Sequence, residues 1–104
     1  MGLYGLFGEH SPEGCPLNNL GNRELVVRMD TQLANVAEKM KVKIQQQYHS
    51  GLEHTFLWIV DAEDGHTVQN FAIESGWAKF NSLKIVPLIK YEDVIESCAR
   101  LGTT

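Results

Sequence analysis

The sequence predicts an α+β fold, in the order strand, helix, strand, strand, helix, strand, with one further helix at the C-terminus. Two patterns carry this expectation. Apolar residues recur at i, i+3, i+4 and i+7 in segments before and after a central pair of strand-like runs, and those runs flank a short polar turn. Glycine and proline mark the borders between segments. The order is that of the ferredoxin-like, split βαβ arrangement, with helices on one face of an antiparallel sheet. At 104 residues the whole chain, 1–104, is expected to form one such domain.

Leu3 to His10 reads as the first strand, with Gly5 and Gly8 allowing close approach of another backbone or a ligand. Ser11-Pro12-Glu13-Gly14-Cys15-Pro16 is a loop, and the polar stretch Asn18–Asn22 delays the helix that follows. From Leu25 to Lys41 the pattern is helical, with Leu33, Val36, Ala37 and Met40 on one face and a break allowed near Met29, where Asp30 offers a cap. Val42–His49 and His54–Asp61 are the hairpin strands. Asp64 is placed to cap a helix whose Val68, Phe71, Ala72 and Ser75 share a face, and Gly76 to end it. Leu83–Ile89 is a short strand that Pro87 assigns to a sheet edge. Tyr91–Leu101 is the last helix, with Val94, Ile95, Cys98 and Leu101 expected inward and Gly102 after it. Trp77 and Phe80 are expected in the core, and His66 on the surface.

Composition narrows the function. The chain is 43% hydrophobic and 21% charged with a net charge of −4, which describes an ordinary globular protein without the basic footprint of a nucleic-acid binder. No apolar run approaches the roughly 20 residues that span a bilayer, so no membrane partner is expected. The first nine residues lack the basic segment of a signal peptide, and Leu6 occupies the position where a myristoylation motif starting at Gly2 needs Ser or Thr. A cytoplasmic location is therefore expected. Cys15 and Cys98 could pair, but two distant cysteines are no disulfide framework.

The run Gln47-Tyr48-His49-Ser50 through Phe56-Leu57-Trp58-Ile59-Val60-Asp61-Ala62, then Phe71, Trp77 and Ile85-Val86-Pro87-Leu88, resembles small members of the dimeric α/β-barrel superfamily. The resemblance covers roughly residues 42 to 89 and carries no diagnostic motif. It implies that two ferredoxin-like sheets pack face to face and enclose a pocket, making the protein a homodimer or higher homo-oligomer with a small-molecule ligand. That superfamily includes oxygenases, haem enzymes and isomerases, so the fold selects no reaction.

The hairpin is where chemistry concentrates. With Ser50–Glu53 as a four-residue loop, His49 faces His54 across the turn, and opposed residues have Cβ atoms roughly 4.5–5.5 Å apart. Continuing that register pairs Gln47 with Phe56, Gln45 with Trp58 and Lys43 with Val60. Val42, Ile44, Leu57 and Ile59 then share the other face and are expected under the helices. Gln45, Gln47, Phe56 and Trp58 would line a pocket or subunit interface. In the expected topology the third strand runs between the first and second, which brings His10 to the same sheet edge as His49 and His54. Cys15, Glu9, Glu13 and Glu53 lie on nearby segments.

Neutral imidazole is the commonest transition-metal ligand. The candidate ligands are His10, His49, His54 and Cys15, with Glu9 and Glu53 as candidate acid/base or completing groups. Three ligands and an open position are typical of catalytic zinc, two histidines and a carboxylate of non-haem iron, and a thiolate favours zinc or copper. The first expectation is thus a metal-dependent small-molecule enzyme, oxygenase-like if iron is bound, with zinc, iron or copper as cofactor. The second is a non-catalytic metal or ligand carrier, which four closed ligands would favour. The third is metal-free acid/base catalysis of an isomerase type by a histidine titrating near neutral pH.

Overall fold

A computed structural model describes residues 1–102 of the chain. Its elements are β1 (Gly2–Glu9), α1 (Leu20–Met40), β2 (Lys43–Ser50), β3 (Thr55–Ala62), α2 (Gly65–Glu74), a 3-10 turn (Trp77–Lys79), β4 (Ser82–Leu88) and α3 (Tyr91–Leu101). The strands form one antiparallel sheet in the order β2-β3-β1-β4, so β3 lies between β1 and β2 as the sequence predicts. The α+β fold is consistent with a ferredoxin-like arrangement. β4 is an edge strand, where the missing N–H of Pro87 is tolerated.

Helix α1 begins earlier than the periodicity indicates. The Asn19 side chain caps it by accepting from the backbone N–H of Asn22 at 2.9 Å, so the polar stretch 18–22 starts the helix instead of delaying it. No break occurs at Met29: that side chain is buried, and Asp30 sits exposed on a continuous helix. The helix ends at Lys41, in the left-handed region at φ 57°, whose N–H bonds back to the carbonyls of Ala37 and Glu38. Asp64 caps α2 as expected, accepting from Thr67 N–H at 2.8 Å and from the Thr67 hydroxyl, and these bonds hold its carboxyl below the usual carboxylate range. Gly76, at φ 96°, turns the chain after α2 with Met29 packed where a Cβ would lie.

The expected assignment of faces is inverted in β3, while Val42 and Ile44 of the β2 segment lie on the helix side as expected. Phe56, Trp58, Val60 and Ala62 form the buried side of β3 and meet Leu33, Ala37, Val68, Phe71 and Ala72 of the helices, with Leu6 of β1. Leu57 and Ile59, expected in the core, lie half-buried on the opposite face. The physical reason is twofold. β3 is apolar on both sides, so alternation gives little contrast, and the largest rings take the side that buries most area. In addition, a bulge between Ile44 and Gln46 shifts β2 by one residue, which puts Ile44 opposite Val60 on the helix side together with buried Val42. Gly8 makes room for this: a Cβ there would overlap the Phe56 ring. Gln45 and Gln47 are exposed on an edge strand and line neither of the two clefts described below, while Phe56 and Trp58 are core. Trp77 and Phe80 are half-buried, Trp77 at 5.1 Å from the Phe56 and Trp58 rings.

Helix α3 has the predicted bounds and an unexpected environment. None of its side chains is buried; Val94, Ile95 and Leu101 are 37%, 51% and 81% exposed, where an inward stripe requires far less. Cys98 is exposed on this helix and Cys15 is fully buried; both thiols are free. Among the described residues, no helix is long and apolar enough to cross a membrane.

Candidate metal centre

Hairpin register near the turn differs from expectation by two residues. Ser50 pairs with Thr55 and His49 with Phe56, so the connecting turn is Gly51–His54 and His54 belongs to it. His54 adopts φ 54°, a left-handed conformation that a non-glycine residue occupies at a cost of about 1–2 kcal/mol. That backbone turn does not separate it from the other histidines. Its carbonyl accepts from the backbone N–H of His10 at 3.0 Å, which anchors the first residue after β1 to the start of β3.

Three groups converge at this corner. His10, Cys15 and His54 each offer a ligand atom, and these atoms all lie within 4.8 Å of one another; the three could hold a metal ion. Zn–N bonds near 2.0–2.1 Å and a Zn–S bond near 2.3 Å need ligands roughly 3.3–3.6 Å apart, so binding would contract any pair by no more than about 1.5 Å. His10 is 8% exposed and Cys15 not at all. Cys15 is held by a braced loop. The side chains of Asn18, Asn19 and Asn22 donate to the carbonyls of Pro12, Glu13 and Gly14, and Arg23 donates to those of Pro16 and Leu17.

His10 is oriented for ligation by Asn81. Asn81 Nδ2 donates to the Trp77 carbonyl at 3.0 Å, so its Oδ1 faces His10 Nδ1 at 2.7 Å. That contact requires the proton on Nδ1 and leaves the lone pair on Nε2. Nε2 of His10 is buried without a hydrogen-bond partner, and so is Nδ1 of His54. Buried polar atoms are nearly always paired, and these two belong to residues that gather around one buried thiol. Asn81 carries no signal of its own in the sequence. Its role emerges only from the β1–β4 register, which pairs Glu9 with Ser82 and so brings the next residues, His10 and Asn81, together.

His49 is exposed and stacks on His10, ring centroids 5.5 Å apart and planes 8° apart, outside the three-ligand group. Partial burial, and then the nearby His10 and His54 charges, lower its pKa below 6.5. Phe80 packs 5.9 Å from the His10 ring. Glu9, Glu13 and Glu53 are exposed and outside the group; His66 is exposed on α2. Two clefts adjoin the corner. One, of about 770 Å³, runs over the uncovered sheet face and is lined by Phe7, Tyr48, His49, Leu57, Lys84 and Val86 among others. A second, of about 580 Å³, is lined by His10, Pro12, Phe80 and Asn81, with Glu9 on the border of both.

Residues 21–102 match the family model for a domain of unknown function, DUF3303. The chain belongs to the DUF3303 family. The match takes in His49, His54, Asn81 and α3 and begins after His10 and Cys15. No curated protein and no solved structure matches the chain.

Proposed function

We propose that this DUF3303 protein is a metal-dependent small-molecule enzyme in which His10, Cys15 and His54 hold one divalent transition metal. The observation that carries the reading is the gathering of His10, buried Cys15 and His54, whose ligand atoms lie within 4.8 Å of one another, with His10 Nε2 and His54 Nδ1 buried and partnerless. A thiolate as third ligand favours zinc or copper. The two-histidine, one-carboxylate pattern of iron oxygenases finds no support, since Glu9 and Glu53 lie outside the group. Three protein ligands leave a fourth position for water or substrate, where the metal would act as a Lewis acid or lower the pKa of bound water. Asn81 positions His10 and fixes its tautomer.

The pocket for the substrate, on this reading, is completed by a second copy. Leu3, Phe7, Leu57, Ile59, Val86 and Leu88 lie on the sheet face that no helix covers, and pairing two such faces would enclose the larger cleft. Size-exclusion chromatography with light scattering tests this: twice the chain mass of 11.7 kDa is expected, and a monomer refutes it.

Elemental analysis of untagged protein, reconstituted with zinc or copper, tests the metal. One ion per chain is expected, lost in His10→Ala, His54→Ala and Cys15→Ser. Absence of binding to every metal offered overturns the proposal. One observation favours a second reading, metal carriage without turnover: His49 stacks on His10 with ring centroids 5.5 Å apart, which makes it the candidate fourth ligand. A Co(II) derivative unresponsive to small anions, and altered by His49→Ala, would establish that closed site instead.

A further inference from the structure

The uncovered sheet face is ordered in rows that cross all four strands. Strand register places Tyr48 of β2 beside Leu57 of β3, Leu57 beside Phe7 of β1, and Phe7 beside Lys84 of β4. With strands about 4.8 Å apart, this row runs about 14 Å from a phenol, over two apolar side chains, to an ammonium. All four residues line the larger cleft. The next row toward the metal corner is Ser50, Thr55, Glu9 and Ser82, three hydroxyls in line with one carboxylate, and it lines the same cleft. On the other side, Gly5 seats the Phe7 ring: a Cβ at Gly5 would lie 2.9 Å from Phe7 Cε2.

We infer that the larger cleft takes an amphipathic organic anion, its flat apolar body on Phe7 and Leu57 and its anionic group on Lys84. This rests on the reading of that cleft as the substrate pocket and names the substrate class. Charge is the first argument. Lys84 is the one lysine or arginine in the cleft lining, and it makes no salt bridge among the described residues. Glu9 stands one row away between Thr55 and Ser82, whose hydroxyls are donors suited to a carboxylate, whereas Lys84 has Phe7 across from it. A cation enclosed against apolar side chains without a partner carries an uncompensated desolvation cost, which an anionic group on the ligand removes. Shape is the second argument. Ligand pockets combine an apolar lining with a few polar groups that fix orientation, and this row has one at each end. Phe7 and Leu57 each stand three residues from a histidine of the corner, His10 and His54, about 10 Å along the strand, so the bound body lies beside the metal centre.

Two fluorescent probes of similar shape separate the terms: anilinonaphthalene sulfonate, which is anionic, and phenylnaphthylamine, which is neutral. In the purified protein, Lys84→Met should weaken binding of the anionic probe at least ten-fold and leave the neutral probe within two-fold. Lys84→Arg should retain the anionic probe, and Phe7→Ala should weaken both. Both positions are exposed within the chain, and circular dichroism would verify that the variants fold. Equal binding of the anionic probe by wild type and Lys84→Met overturns the inference, while a dimer with one metal ion per chain would leave the proposed enzyme intact. A Lys84-dependent preference in a protein that binds no metal keeps the anion site and removes the metal reading. A Lys84→Met variant that loses the dimer with the ratio of probe affinities unchanged assigns Lys84 to the subunit interface and overturns the inference as well.

Discussion

Asn81→Ala isolates the orientation of His10 from its identity as a ligand. In the wild type, Asn81 accepts from His10 Nδ1 at 2.7 Å while its own amide is anchored on the Trp77 carbonyl at 3.0 Å. Removing the side chain frees the imidazole to rotate and to take the other tautomer, in which Nε2 carries the proton and cannot ligate. Loss of such an outer hydrogen bond typically weakens metal binding about 10–100-fold, which corresponds to roughly 1.4–2.8 kcal/mol at about 1.4 kcal/mol per decade. A competition titration against a chromophoric chelator, with zinc at fixed pH, measures this directly. Asn81→Asp should retain most of the affinity, since a carboxylate still accepts from Nδ1, although it gives up the donor to Trp77. Melting of both metal-stripped variants separates loss of fold from loss of binding. Wild-type zinc affinity in Asn81→Ala would refute the tautomer argument, and with it the assignment of Nε2 as the ligating atom.

Four further outcomes follow from particular residues. At φ 54°, His54 is strained, so His54→Gly should melt higher than His54→Ala by about 1 kcal/mol, roughly 4–8 °C for a domain of this size, with both variants losing the metal. Gly8→Ala should destabilise by about 1–3 kcal/mol, read by urea unfolding, because the added methyl enters the space of the Phe56 ring. The Lys41→Gly variant should gain about 0.5–1 kcal/mol in the same assay, since the helix C-cap at φ 57° favours glycine. For His49 the folded pKa lies below the unfolded one, so the unfolded chain binds more protons near and below pH 6.5 and stability rises with pH there. The metal-free protein should therefore lose stability on acidification from pH 7 to 5, and His49→Gln should lose less.

Element boundaries were legible wherever a local signal was strong. Asp64 and Gly76 mark α2 because a carboxylate cap and a left-handed turn are short-range chemistry, and Pro87 marks an edge strand because it lacks a donor. The start of α1 carries no such local mark: Asn18, Asn19 and Asn22 have the composition of a loop, and only their side-chain bonds to backbone show them capping and bracing the helix start. Face assignment in β3 was not legible at all, since Phe56, Leu57, Trp58, Ile59 and Val60 are apolar on both sides and a single bulge in β2 resets the partner strand. The convergence of His10 with His54 is independent of face assignment because it depends on strand order and not on register. Cys15 joins them through a loop whose path no periodicity encodes, and Asn81 through a contact 71 residues distant in sequence.

Helix α3 carries a pattern without a partner. Spacing of Val94, Ile95, Cys98 and Leu101 encodes that a stripe is made to be covered; it contains nothing about which chain supplies the cover. The expectation of an inward stripe assumed the cover was intramolecular, and the exposure of Val94, Ile95 and Leu101 removes that assumption without removing the pattern. An uncovered stripe and an uncovered sheet face on one small chain each cost solubility if left in water, since contiguous apolar patches of this extent are uncommon on monomers. On the proposed reading, the sheet face is covered when two copies meet. The same encounter would enclose the cleft that His49 borders, so the surface that assembles the dimer and the corner that gathers His10, Cys15 and His54 would be coupled through one event. Dilution of the protein should then lower activity per chain, whereas metal content, which needs only one chain, should stay constant.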